Sequence, residues 1–288
     1  MKFTYNIAGL PVESDFSLGP AYENFIIDAK RQFTAGIVFN KCAVQQEQPP
    51  LFSVRQEQFN VSAYAEGFLF ENPPDHGAKV FSNLSYTECM VTEGSGLDHL
   101  IRLVLESQLI REGKITLHSS CIAAPEGAFC LTGVSGVGKS TRAAAFCQMP
   151  GFELISGDRP LIDCISPSVH GVPWDGKEAL YINKSAPLRA IFCVRRLDET
   201  EKPCRASSGT VIPAAESLRL LTEKGAYHQL ITQTFLPMWD TDTAAMAMGN
   251  LKKLVSRLSI YELASGPDSE SAEKSWKIIK KEVMHEDK

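Results

Sequence analysis

Residues 133–141 read Gly133-Val134-Ser135-Gly136-Val137-Gly138-Lys139-Ser140-Thr141, and this string constrains the fold more than any other in the chain. It satisfies the pattern G-x-x-x-x-G-K-[S/T], with Gly133, Gly138, Lys139 and Ser140 in the fixed places. Glycines let the backbone curl until successive N–H groups point inward, where they can meet phosphate oxygens. A helix that starts at the lysine adds the positive end of its dipole. Lys139 can reach the β- and γ-phosphates, and the Ser140 hydroxyl can ligate Mg²⁺. Such a loop needs a strand before it and a helix after it. The apolar run Ala128-Phe129-Cys130-Leu131-Thr132 ends just before residue 133, and the alanine-rich stretch 142–146 follows. The implied ligand is a nucleoside triphosphate held, with Mg²⁺, by Gly133, Ser135, Gly136, Val137, Gly138, Lys139, Ser140 and Thr141. The competing reading is a glycine-rich turn that binds nothing.

Many enzyme classes share this loop, so its neighbours must discriminate among them. An ABC-type ATPase needs a signature motif and a distant D-E pair, and a GTPase needs an N-K-x-D-type motif. The sequence has neither, and its arginines do not cluster as in a nucleoside-kinase lid. Upstream lies Thr116-Leu117-His118-Ser119-Ser120-Cys121; downstream lies Phe152-Glu153-Leu154-Ile155-Ser156-Gly157-Asp158-Arg159. The second run is an apolar strand ending in a carboxylate 19 residues after Lys139. Asp158 can bind Mg²⁺ there, directly or through water, or accept a proton from an attacking hydroxyl. A turn carboxylate is the plainer alternative. His118 can orient Asp158 or contact the transferred phosphate; a strand histidine bonded to backbone is equally consistent. Arg159 can stabilise transition-state charge or form an exposed salt bridge.

This order and spacing of three elements resembles the HPr kinase/phosphorylase family. That family carries a histidine-bearing strand, a loop of this form and an aspartate-bearing strand in the same sequence. The resemblance covers residues 112–195 and implies a kinase core with a fold similar to phosphoenolpyruvate carboxykinase. It implies Asp158, His118 and Lys139 as catalytic residues and Ser140 and Asp158 as metal ligands. Three departures stand out. Gly157-Asp158 replaces a pair of aspartates, His118-Ser119 replaces a His-Gly step, and no Glu-x-Arg-Gly signature follows. In these respects the chain is more similar to the smaller HPr-kinase-like proteins of peptide-modification systems, which include serine kinases acting on lasso peptides. The resemblance thus implies ATP-dependent phosphorylation of a serine hydroxyl on a peptide or small protein. A kinase for a small molecule such as free serine, and a non-catalytic nucleotide-binding protein, remain alternatives. The family's hexamers make a homo-oligomer an expectation.

The rest of the sequence frames this core. Strand-like runs fill residues 1–94 (3–7, 33–39, 51–54, 59–70 and 78–91), separated by breaks at 48–50 and 72–77, with Gly67 and Gly77 expected at turns or bulges. A helical pattern then covers 96–113, with Ser95 near its N-cap and Gly113 at its stop. Beyond it, strands are expected at 115–123, 128–132, 152–156, 160–164, 168–172, 188–195 and 260–263, and helices at 139–148, 214–224, 243–258 and 271–283. The expected fold class is α/β, α+β overall: a mostly antiparallel β module over 1–94, then the P-loop kinase domain over 95–288. The loop His170-Gly171-Val172-Pro173-Trp174-Asp175-Gly176-Lys177 has the composition of a segment that closes on a ligand. Lys177 is a candidate phosphate or acceptor contact and Asp175 a weaker metal candidate; Trp174 reads as packing and Arg189 as a buried ion-pair residue.

Composition bounds the surroundings. A net charge of −5 argues against a broad nucleic-acid or acidic-membrane surface. No stretch approaches the roughly 20 apolar residues of a membrane span, and no secretory apolar region opens the chain. A cytoplasmic protein is expected. Its eight cysteines form no C-x-x-C pair and its six histidines show no ligand spacing, so reduced, mostly buried thiols are expected and a zinc site is not.

Overall fold

Alternating apolar residues build the first part of the chain as strands. In the computed structural model these are β1 (Phe3–Ile7), β2 (Leu10–Ser14), β3 (Ile37–Lys41), β4 (Phe52–Gln56), β5 (Phe59–Ala63), β6 (Gly67–Glu71), β7 (Lys79–Asn83) and β8 (Glu88–Thr92). The structure describes residues 2–28, 34–46, 48–72, 77–174, 181–197, 204–205, 211–212 and 216–283. The strands form one sheet in the order β1-β2-β3-β8-β7-β6-β5-β4. Its pairings are mostly antiparallel, with β2–β3 and β3–β8 parallel, so the sheet is mixed. Two expected runs fold back on themselves: 59–70 becomes the hairpin β5–β6, and 78–91 becomes β7–β8. The second hairpin turns where the Asn83 side chain accepts the Thr87 N–H at 2.9 Å and Tyr86 takes a positive φ of 58°. Gly67 is the first residue of β6, and its carbonyl accepts the Tyr64 N–H at 2.8 Å across the turn of the β5–β6 hairpin. A Cβ on Gly67 would sit 2.0 Å from the Ser82 carbonyl oxygen, so the close approach of β7 requires glycine.

Helix α1 (Leu97–Arg111) follows, with Gly96, not Ser95, as its N-cap. Its apolar side chains Leu100, Ile101, Leu103, Val104, Leu105, Leu109 and Ile110 are buried, as are the charged Arg102 and Glu106. A helix apolar on most sides must be enclosed on most sides. Arg102 satisfies the buried Glu106 at 3.3 Å and Glu57 at 2.9 Å.

The second half is α/β. After β9 (Lys114–Thr116) come β10 (Ser119–Ala124), β11 (Gly127–Thr132), α2 (Lys139–Phe146), β12 (Glu153–Ser156), β13 (Leu161–Asp163), β14 (Ser168–His170) and β15 (Ser185–Arg196). The short pair β16 (Cys204–Arg205) and β17 (Val211–Ile212) is followed by β18 (Ser217–Leu220), α3 (Glu223–Ile231), α4 (Thr241–Val255), β19 (Ile260–Ser265) and α5 (Ser269–Val283). The sheet runs β12-β10-β11-β15-β14-β13, with β19 beside β15 and β18 beside β19. β11 and β19 both run parallel to β15, whereas β10 is antiparallel to its neighbours β11 and β12. Ile122, Phe129, Leu131, Phe192 and Leu263 from the strands pack with Ala143 and Phe146 of α2 and Trp276 and Ile279 of α5. Trp276 meets Phe129 and Phe152 edge to face at 5.5 and 4.9 Å.

Two expectations of local structure are corrected. The strand expected at 115–123 breaks into β9 and β10 because the Leu117 N–H bonds the Pro160 carbonyl and the His118 N–H bonds the Gln233 carbonyl. The helix expected at 214–224 is instead strand β18 over its described residues, then Thr222, whose hydroxyl accepts the Gly225 N–H and caps α3. Pairing of Leu218 with Leu263 on β19 overrides the local pattern.

Chain contacts define two compact units. One comprises Met1–Ile115, Val172–Trp174 and Phe235–Asn250; the other comprises Thr116–Gly171, Asp175–Thr234 and Leu251–Lys288. In the first, Trp239 Nε1 donates to the Tyr86 hydroxyl at 3.0 Å, and that hydroxyl donates to Asp240 at 2.9 Å. The same carboxylate accepts the Thr243 N–H at 3.1 Å and its hydroxyl at 2.6 Å, which fixes the start of α4. Two mixed sheets and six helices, one of them the 3₁₀ helix Pro20–Phe25, make the described residues mixed α/β. No helix among them is long and apolar enough to cross a membrane. The seven cysteines with described side chains are free; burial pushes the Cys89, Cys164 and Cys193 thiols up to about 12, which keeps them protonated and unreactive.

Candidate phosphate-binding site

In a sheet with parallel strands, loops at one end converge, and ligands are commonly held there. β11 is parallel to β15, β15 to β19, and β12 shares their direction because both β11 and β12 are antiparallel to β10. The loop after β11 begins at Gly133, the turn after β12 holds Gly157 and Asp158, β15 ends at Arg196, and β19 ends at Ser265. His118, immediately before the antiparallel β10, lies at this same end.

The backbone tie between these segments is short-range and dense. The Ser119 N–H donates to the Asp158 carbonyl at 2.7 Å, the Ser120 hydroxyl to the Gly157 carbonyl at 2.7 Å, and the Thr132 hydroxyl to the His118 carbonyl at 2.9 Å. The carboxylate-bearing turn is thereby fastened to the strand that leads into the loop.

Within the loop, Gly133 and Gly138 take positive φ values of 140° and 93°. A Cβ on Gly138 would meet Arg142 Nη1 at 2.6 Å, and one on Gly133 would press on the Val194 carbonyl at 3.1 Å. These two fixed glycines are therefore required by the fold of the loop itself. The first turn of α2 begins at Lys139, and the Arg142 N–H is the donor to the Gly138 carbonyl at 3.1 Å. First-turn N–H groups before it have no carbonyl one turn back within the helix. Ser135, Gly136, Ser140 and Thr141 are exposed, whereas Val137 is buried in the core.

Lys139 is buried, and its ammonium donates to the Gly133 and Val134 carbonyls at 2.9 and 3.4 Å. Burial lowers its pKa, and the charge of Asp158 acts in the opposite sense. His118 Nε2 lies 3.0 Å from Asp158 Oδ1, and Arg159 Nε lies 3.8 Å from Asp158 Oδ2. The hydrogen bond from His118 is the largest cause holding the Asp158 carboxyl below the ordinary carboxylate range; partial burial opposes it, and the charges of His118, Arg159 and Lys139 reinforce it. Lys139, His118, Asp158 and Arg159 thus form one electrostatic group. Lys177 and Asp175 lie outside the described residues. Trp174 is buried. Arg189 is exposed, not buried as its apolar strand suggested, and donates to the Glu126 carbonyl at 2.8 Å.

Two further cations at the loop went unnoticed in the sequence. Arg142, 3% exposed, donates from Nη1 to the Val137 and Gly138 carbonyls at 2.7 and 3.2 Å and from Nη2 to the Ser265 carbonyl. Arg196 donates to the Gly136 carbonyl. A signal existed for each: Arg142 is a charge in an otherwise alanine-rich helix, and Arg196 closes an apolar strand. No protein-family model matches the chain, and no curated protein shows significant similarity to it.

Proposed function

We propose that the chain is an ATP- and Mg²⁺-dependent kinase, with a P-loop kinase core, that phosphorylates a serine hydroxyl on a peptide or small protein. The observation that carries this reading is the single electrostatic group made by Lys139 on the loop and the His118–Asp158 pair beside it. A phosphate-binding turn alone would need no carboxylate held ionised next to its lysine.

The residues fit the implied ligands. Glycine-only positions at 133 and 138, first-turn N–H groups without an intrahelical acceptor and a buried ammonium suit a polyphosphate. The Ser140 hydroxyl and the Asp158 carboxylate are hard oxygen donors of the kind Mg²⁺ takes, and they would hold it. Among the described residues no group of three or more His, Cys, Asp or Glu side chains could hold a metal alone, and an ion bound with nucleotide phosphates needs only one or two protein ligands. Bound Mg²⁺ would supply charge neutralisation on the phosphate oxygens.

The chain's own groups then divide the work. Lys139 exchanges loop carbonyls for phosphate oxygens and stabilises charge developing there. Asp158, kept ionised, is better suited to metal ligation and to orienting the acceptor hydroxyl than to strong proton abstraction, because a lowered pKa makes a weak base. His118 holds that carboxylate in place through Oδ1. The test is incubation of the protein with γ-labelled ATP, Mg²⁺ and serine-bearing peptides or free serine. Label on a peptide serine supports the reading; label only on free serine, or ATP bound without any transfer, would replace it.

A further inference from the structure

The carbonyls of the phosphate loop are nearly all held by cations. Lys139 takes those of Gly133 and Val134, Arg142 those of Val137 and Gly138, and Arg196 that of Gly136. In a planar trans peptide the C=O and the following N–H point to opposite sides. A cation that draws a carbonyl to one side therefore turns the next N–H to the other. For the peptides after Val137 and Gly138 this orients the N–H groups of Gly138 and Lys139 away from Arg142. At the apex, Arg196 draws the Gly136 carbonyl outward while the Val137 N–H closes back on the Val134 carbonyl at 3.2 Å.

The three cations differ in what they can do when a ligand arrives. Lys139 must leave its carbonyls to reach a phosphate. Arg142 is locked from behind by burial and by Ser265, whose hydroxyl accepts from Ser275 of α5 at 2.9 Å. Arg196 is exposed, on the last residue of β15, and its carbonyl partner lies on an exposed part of the loop.

We propose that Arg196 is a positioning residue for phosphate binding: from the end of β15 it fixes the apex of the loop through the Gly136 carbonyl, while Arg142 fixes the base. The inference rests on the reading of residues 133–140 as a phosphate loop and extends it to a residue outside that motif. A second observation favours it. The Arg142 guanidinium is disfavoured first by burial and then by the nearby charge of Arg196. Two like charges brought to one loop repel each other, and a polyanion bound there relieves that repulsion.

The experiment is calorimetric titration of Mg·ATP and of inorganic pyrophosphate into the wild-type protein and the Arg196→Gln, Arg196→Lys and Lys139→Ala variants. The thermal midpoint of each is taken without nucleotide. Loss of one charge-assisted hydrogen bond should weaken both probes by about tenfold in Arg196→Gln. The midpoint should stay unchanged, because the side chain is exposed, and Arg196→Lys should restore part of the affinity. In a transfer assay the same variant should raise KM for ATP more than it lowers kcat. If Arg196→Gln binds both probes like the wild type while Lys139→Ala has lost them, the phosphate loop stands and the role of Arg196 is refuted. A fall in midpoint that accounts for the lost affinity refutes it too, by making Arg196 a stabilising residue only. If wild type and Lys139→Ala are indistinguishable, the phosphate-loop reading itself fails and the role of Arg196 fails with it.

Discussion

Arg102–Glu106 in the first unit and His118–Asp158 in the second are both charged pairs at hydrogen-bonding distance, 3.3 and 3.0 Å. Their surroundings set them apart. The Arg102 and Glu106 side chains are 7% and 0% exposed, and a second carboxylate, Glu57, completes the arginine's bonding. His118 and Asp158 are 37% and 30% exposed, and Arg159 Nε lies 3.8 Å from Asp158 Oδ2. The first pair is closed to solvent, its arginine shared between two carboxylates. The second is partly open to solvent, at the end of the sheet where the glycine loop begins. Charge at close range is common to both; access is what separates a candidate site from a support.

The comparison is broken most severely at Lys139. Lys139→Ala should reduce phosphoryl transfer by on the order of 10³-fold or more, the scale expected for loss of a cation stabilising the transferring phosphate. The fold should survive, since α2 keeps its apolar anchors Ala143 and Phe146 and alanine is the best helix former. Full activity in that variant, measured with labelled ATP, would sink the mechanism.

At the closed pair the loss should be one of stability. Arg102→Ala leaves the fully buried Glu106 carboxylate without its cation, a change that typically costs about 3–5 kcal/mol. Denaturant unfolding should register this, with binding of Mg·ATP by the remaining folded protein unchanged. A variant as stable as the wild type would mean that the Glu106 charge is compensated in some other way. Asp158→Asn provides the complementary case. It keeps the shape and the exposed setting but removes the charge, so transfer should fall by about 10²-fold with stability altered by no more than about 1 kcal/mol. Equal loss of stability in the two variants would erase the distinction drawn between the pairs.

The sequence disclosed some of this site and concealed the rest for identifiable reasons. The strand, loop and helix around Lys139 were legible because the constraint is local: glycine at 133 and 138 is demanded by positive φ and by atoms only a few residues or one strand away. Helix α1 was legible because its apolar residues are dense and its stop, Gly113, is a positive-φ glycine. The break at Leu117 and His118 was hidden because its hydrogen bonds go to Pro160 and Gln233. Strand β18 was hidden because its partner, β19, lies more than forty residues away in sequence. Arg196 escaped notice for the same reason, since the Gly136 carbonyl it binds is distant in the chain, and Arg142 because all its acceptors, near and far, are backbone carbonyls. Interactions with backbone acceptors leave no side-chain pattern to read.

The smallest expected effect is also the most specific to the open pair. Asp158 is held below its ordinary value of 3.8 first by the hydrogen bond from His118, with partial burial working against it. A carboxyl lowered in the folded state adds stability above its ordinary pKa, and that contribution is lost as pH falls through the lowered folded value. His118→Ala removes the main lowering cause and leaves burial opposed only by the charges of Arg159 and Lys139. The folded value must then rise, so the acid limb of the stability profile, and of Mg·ATP-dependent transfer, should move to higher pH. Near neutral pH both proteins keep Asp158 ionised, and the difference in stability should be at most about 1 kcal/mol, because the pair is partly exposed and screened by solvent. Thermal midpoints taken from about pH 3 to about pH 7 resolve the shift. The same series on Asp158→Asn should show no displacement on removing His118. Superimposable wild-type and His118→Ala profiles would mean that the pair, though open, does not control the charge of Asp158.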